Sequence, residues 1–156
     1  MGDTVLPEVI PVMQRALYSS DHNTRIGACV GLTEVISCSS KEQLVKFVEI
    51  LVKAVRDALC DEQQDVRKMA ISAFQQLYSV LGSRVLDEIV PALLVSMDSD
   101  DERRTRAVYG LTGILTVRSK ELLPFLVPRV RYFDNFLFTR GCLSFIFYLI
   151  PLHVFS

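Results

Sequence analysis

RIGACVGLTEV at residues 25–35, RKMAISAFQQL at 67–77 and RTRAVYGLTGI at 104–114 decide the fold of this chain. Laid over one another, they place arginine at Arg25, Arg67 and Arg104, and alanine three places on at Ala28, Ala70 and Ala107. Large apolar residues follow at Leu32, Phe74 and Leu111, then at Val35, Leu77 and Ile114. Offsets of three, seven and ten residues fall on one stripe of a helix, so each stretch is expected to be helical with one apolar face. The stretches recur after 42 and then 37 residues. That spacing belongs to two-helix units stacked side by side.

Working outward, each stretch is preceded by a partner helix. Val5 to about Tyr18 carries Leu6, Val9, Ile10, Met13 and Leu17 at helical spacing, with Pro7 in the opening turn and a kink expected at Pro11. Asp21 opens the next helix, where a short acceptor side chain suits backbone N–H groups that lack helical partners. The second unit pairs residues 41–60 with residues 62–81, and Gly82 stops it. The third pairs residues 85–97 with residues 100–117. A fourth first helix is expected from Leu122, because Val85-Leu86 and Val90-Pro91 recur as Leu122-Leu123 and Val127-Pro128. Gly2, Val5, Leu6, Glu8 and Pro11 reappear 80 residues later as Gly82, Val85, Leu86, Glu88 and Pro91. Neither end shows the polar face that caps a free-standing array, so a segment of a longer protein is expected.

The expected fold is therefore all-α: a right-handed α-solenoid of HEAT/armadillo-type helix pairs, about three and a half repeats over residues 1–130. Residues 131–156, RYFDNFLFTRGCLSFIFYLIPLHVFS, form a second region, a hydrophobic and aromatic tail with no repeat relation to anything upstream. A membrane anchor over residues 136–155 is one reading of it, since that length as a helix spans roughly 30 Å. Arg140 inside the run and Pro151 near its end oppose that reading. A flap folding back over the exposed end of the array is favoured.

Composition excludes several function classes. The chain has 156 residues, half hydrophobic and 22% charged, in the range of an ordinary globular domain. A formal charge of −1 gives no global field toward nucleic acid or anionic lipid. Four cysteines, Cys29, Cys38, Cys60 and Cys142, form neither a CxxC pair nor a disulfide framework, which points to a reducing, cytoplasmic setting. His22 and His153 are the only histidines, and no ligand cluster or His-paired nucleophile can be assembled around them. Asp98 to Glu102 (DSDDE) lacks the glycine and the distal glutamate of a calcium loop and stands where an inter-helix turn is expected. No glycine-rich phosphate loop is present. The expectation is a protein that is not an enzyme, with no catalytic residues, metal site, cofactor or small-molecule substrate.

The aligned arginines carry a second signal. Asp61 precedes Arg67 by six residues and Asp98 precedes Arg104 by six, with Ser19 in the same place before Arg25. This resembles the HEAT signature, and the resemblance implies that Asp61, Asp98, Arg25, Arg67 and Arg104 form a ladder between neighbouring repeats. The alternative is a basic track of the three arginines for RNA phosphates. The ladder is favoured, because an arginine stranded near the seam without a partner is costly.

The resemblance extends beyond the repeat type. VLPEVIPVMQRAL, RIGACVGLTEVI, SSKEQLVKFVEILVKAVRDALCDEQQDVRKMA, FQQLYSVLGSRVLDEIVPALL and VRSKELLPFLVPRV, in that order, resemble successive repeats of the large ribosome-associated activator of the general-control kinase, which phosphorylates initiation factor 2 alpha. The resemblance covers residues 2 to about 130 and implies a scaffold regulating translation in amino-acid starvation, with the ribosome and kinase-pathway proteins as partners. No kinase-contact residue is carried over. A generic HEAT adaptor for protein–protein interaction and a tail-anchored membrane protein are the alternatives.

Overall fold

The computed structural model describes residues 5–99 and 101–133. Its elements are α1 (Val5–Leu17), α2 (His22–Cys38), α3 (Lys41–Lys46), α4 (Val48–Leu59), α5 (Gln64–Leu81), α6 (Arg84–Met97) and α7 (Glu102–Phe133). No strand occurs among the described residues. The first helices α1, α4 and α6 pack in succession, as do the second helices α2, α5 and α7, and each pair closes on itself. The chain is an all-α HEAT-type solenoid.

The repeated stripe forms the core. Ala28, Ala70 and Ala107, with Leu32, Phe74 and Leu111, are all buried. Leu77 and Ile114 are buried too, and Val35 is partly buried against the same core. Apolar residues of the first helices close over this stripe, among them Leu6, Ile10, Leu51, Val55, Leu86 and Ile89. Burial of apolar surface stabilises each pair at about 25 cal/mol per Å². Among the described residues none of the fully buried ones is polar or charged.

Helix ends follow the chemistry of their residues. Asp21 caps α2, accepting from the N–H groups of Asn23 and Thr24. Ser40 and Gln43 form a capping box on α3. Gly82 ends α5 at φ 67°, a conformation that L side chains rarely adopt.

One expectation is corrected. Residues 41–60 form two helices, α3 and α4, broken at Phe47, which has φ −117° and ψ 14°. Val48 aligns with Leu6 and Leu86, so α4 is the true repeat helix. The connection before it is four residues longer than its counterpart in the next repeat, and α3 accommodates the excess. The expected boundary between residues 117 and 122 is present as a kink: two helical stretches of α7 meet at Arg118, whose backbone is non-helical at φ −142° and ψ 48°. The position equivalent to Gly82 is Ser119, so the junction here lacks the glycine that ends α5. Pro11, where a kink is expected, lies inside α1.

The proposed tail beginning at Arg131 lies almost entirely outside the described residues. Helical backbone of α7 continues to Phe133. No helix among the described residues is long and apolar enough to cross a membrane.

Candidate functional site

The charged residues of the three repeats meet where first helices turn into second helices. Asp61 lies in the α4–α5 turn, where its Oδ1 accepts from the Gln63 N–H at 2.8 Å. That bond holds the carboxylate across from α2. Arg25 donates to it through Nε (2.7 Å to Oδ2) and Nη2 (3.1 Å to Oδ1), a two-pronged pair that joins the first repeat to the second. The side chains are 14% and 12% exposed, so solvent screens this pair less than a surface bridge. The third arm of Arg25, Nη1, reaches back to the carbonyls of Ser19 (2.8 Å) and Ser20 (3.2 Å).

Arg67 repeats that last interaction. Its Nη1 donates to the carbonyls of Asp61 (2.7 Å) and Glu62 (2.8 Å), tying α5 to its own turn. Its guanidinium lies over the Tyr109 ring of α7, 4.2 Å from the centroid, where the negative face of the ring attracts it. Arg104 donates from Nε to the Met97 carbonyl at 3.1 Å, and Asp98 caps the end of α6. Of the five residues singled out in the sequence, Arg25 and Asp61 are brought together side chain to side chain. Arg67 and Arg104 reach backbone carbonyls near the ends of their preceding first helices.

Other side chains at this edge were not legible in the repeat. Arg106 bonds both Glu62, across the repeat boundary, and Glu102 at 2.8 Å. Tyr18 donates its hydroxyl to Asp57 at 2.7 Å, and Arg56 holds the same carboxylate at 3.1 Å. The bond to Asp57 keeps the Tyr18 proton in place and raises its pKa. Arg106 and Tyr109 occupy places filled by Gly27 and Val30 in the first repeat and by Met69 and Ser72 in the second. A search for recurrence therefore passes over them. The available signal was their departure from the pattern.

Between these groups opens a cleft of about 530 Å³, lined by residues of all three repeats. Leu17, Ala58, Leu93 and Ala107 contribute apolar surface, while Arg56, Arg103 and Arg106 stand among the charged lining. Cys60 also lines it, but burial pushes its thiol up to about 11, and that of Cys29 up to about 12. Both stay protonated at neutral pH. Among the described residues no group of three His, Cys, Asp or Glu side chains is placed to hold a metal ion. The edge can hold other molecules by charge, hydrogen bonds and apolar contact.

Helix pairs in register, a buried Ala-and-Leu stripe and arginines turned back onto the inter-helix turns define the class of HEAT-repeat proteins. A HEAT repeat model matches residues 51–81, the span of α4 and α5. More particularly, the chain is homologous to the GCN1 proteins. It is 38% identical over 130 residues to the stalled ribosome sensor GCN1 of Homo sapiens, covering 83% of this chain. It is 39% identical over 132 residues to the eIF-2-alpha kinase activator GCN1 of Dictyostelium discoideum, and 32% over 129 residues to that of Saccharomyces cerevisiae. The chain spans about 5% of the length of each of these relatives.

Proposed function

We propose that this chain is a non-catalytic scaffold segment in translation control, acting in the cytoplasm by contact with ribosomes and with proteins of the eIF-2-alpha kinase pathway. One observation carries this reading: collinear homology with GCN1 proteins over 83% of the chain, in which the relatives' names specify a stalled-ribosome sensor and a kinase activator. The HEAT architecture supports it, because stacked helix pairs expose long edges suited to large partners.

The arginines belong to the scaffold in this reading. Arg25, Arg67 and Arg104, with Asp61 and Asp98, serve to join repeats and fix their turns, in preference to contacting RNA. Support comes from the Arg25–Asp61 pair and from the carbonyl bonds of Arg67 and Arg104. Residues 131–156 are a separate C-terminal region in the same proposal.

Co-sedimentation of the full chain with purified ribosomes, at about 50 mM and about 150 mM salt, tests the central claim. Recovery in the ribosomal fractions at both salts is expected. Absence at both would overturn ribosome contact by this chain.

A further inference from the structure

The seam between successive second helices keeps a fixed register. On α5, Arg67, Ile71 and Tyr78 face α7: Arg67 lies over the Tyr109 ring, a Cβ at Gly113 would stand 3.3 Å from Ile71 Cγ1, and Tyr78 carries the Arg118 guanidinium. On α2 the same places are Arg25, Cys29 and Ile36. Arg25 bonds Asp61 of the next repeat, and Cys29 and Ile36 are fully buried. On α7 these places fall to Arg104, Val108 and Leu115. Val108 and Leu115 are half-buried, yet no further second helix follows α7 among the described residues. Beyond the kink at Arg118, α7 is the first helix of a fourth repeat, with Leu122 buried in the place of Val85. A first helix without its partner and an apolar side in the seam register both call for one more helix.

The sequence after Phe133 supplies it. Asp134 directly follows α7 as Asp98 directly follows α6. Arg140 comes six residues after Asp134, the interval that separates Asp98 from Arg104 and Asp61 from Arg67. From Arg140, the apolar residues Leu143, Phe147 and Ile150 stand at offsets of three, seven and ten, the stripe of the upstream second helices. Expecting a tail unrelated to the repeats passes over this relation, because the spacing from Arg104 is 36 and a leucine takes the place of the recurring alanine. That leucine sets the last pair further apart than the others. Pro151 follows Ile150, and a helix usually ends before proline. We propose that residues 134–150 are the second helix of a fourth repeat, folded onto the Arg104, Val108 and Leu115 side of α7 and closing that face to other proteins. Register puts Phe145 against Arg104, as Tyr109 lies against Arg67, and Leu149 against Val108, as Gly113 lies against Ile71. Distinct in composition, the C-terminal region is thereby a layer of the array. Ribosome contact and this contact stand or fall separately.

A designed disulfide in the full chain, in a C38S/C142S background, tests the proposal. Ile71 and Gly113 approach closely enough for a disulfide, so V108C/L149C should cross-link within one chain under mild oxidation, as read by mass spectrometry of tryptic peptides. V30C/L149C, with Val30 in the first repeat, should not, and circular dichroism verifies the fold of both variants. Hydrogen exchange gives a reading without new cysteines. F145A should speed amide exchange over residues 104–117 by about tenfold, whereas F155A, past Pro151, should leave it unchanged. Absence of the V108C/L149C link in folded protein, a link between two chains, or equal linking by V30C/L149C would overturn the proposal. So would unchanged exchange in F145A.

Discussion

At Ala28, Ala70 and Ala107 each repeat buries a methyl group where a larger side chain would part the helices, and the large residues beside them fill the remaining space. Phe74 and Leu77 are both fully enclosed, Phe74 with the Tyr78 ring tilted against it at 6.1 Å. Leu77→Ala should cost about 2–5 kcal/mol and Phe74→Ala about 3–5 kcal/mol in chemical denaturation, from lost burial and the cavity left behind. A loss below about 0.5 kcal/mol, the range of surface changes, would contradict the packing. Gly110 makes a narrower point. A Cβ there would stand 3.0 Å from Cys60 Sγ and 3.1 Å from Leu93 Cδ1, both interior neighbours. Gly110→Ala should destabilise by about 1–3 kcal/mol, and adding Cys60→Ala should recover part of that loss. Additive effects in the double variant would show that the two positions do not touch.

Among the elements, helix starts carry the pH dependence. Asp21 accepts from the Thr24 hydroxyl and from two backbone N–H groups, which lower its pKa below the ordinary 3.8. A lowered folded-state pKa means that the contribution is complete above about 3.8 and is lost as pH falls through the lower folded value. Asp21→Asn keeps a capping side chain and removes the titration. Its thermal midpoint should therefore change less than the parent's between about pH 2 and pH 4; an identical slope would mean that Asp21 does not cap α2 in solution. The elements also show how far the sequence could be read. The stripe located α2, α5 and the start of α7, because burial every three or four residues leaves a trace in composition. It did not reveal the break at Phe47, which depends on accommodating four additional residues in a connection. It placed the junction after residue 117 but not its form, a kink at Arg118 where the equivalent end of α5 has Gly82. The Arg25 and Asp61 partners were legible because arginine and aspartate recur. Glu62, Arg106, Tyr18 and Tyr109 were not, because contacts across the edge depend on individual residues at non-recurring places.

For the whole molecule, stability is a sum over neighbours. Each helix pair rests on the next, and α5 packs against both α6 and α7. Removing everything after Leu81 would uncover that side of α5 and leave too few repeats for an independent core. The truncated chain should lose the cooperative thermal transition of the parent. Retention of the same midpoint by circular dichroism would show that the first two repeats fold alone. The kink within α7 bears on mechanics as well. Elsewhere a turn separates the second helix of one repeat from the first helix of the next, as at Gly82, and a turn yields when pulled. At Arg118 the joint is instead a kink between two helical stretches, and the Arg118 guanidinium rests on the Tyr78 ring of α5, 4.6 Å from its centroid. Force applied to the far half of α7 therefore meets this kink first, and the Arg118–Tyr78 contact resists its opening.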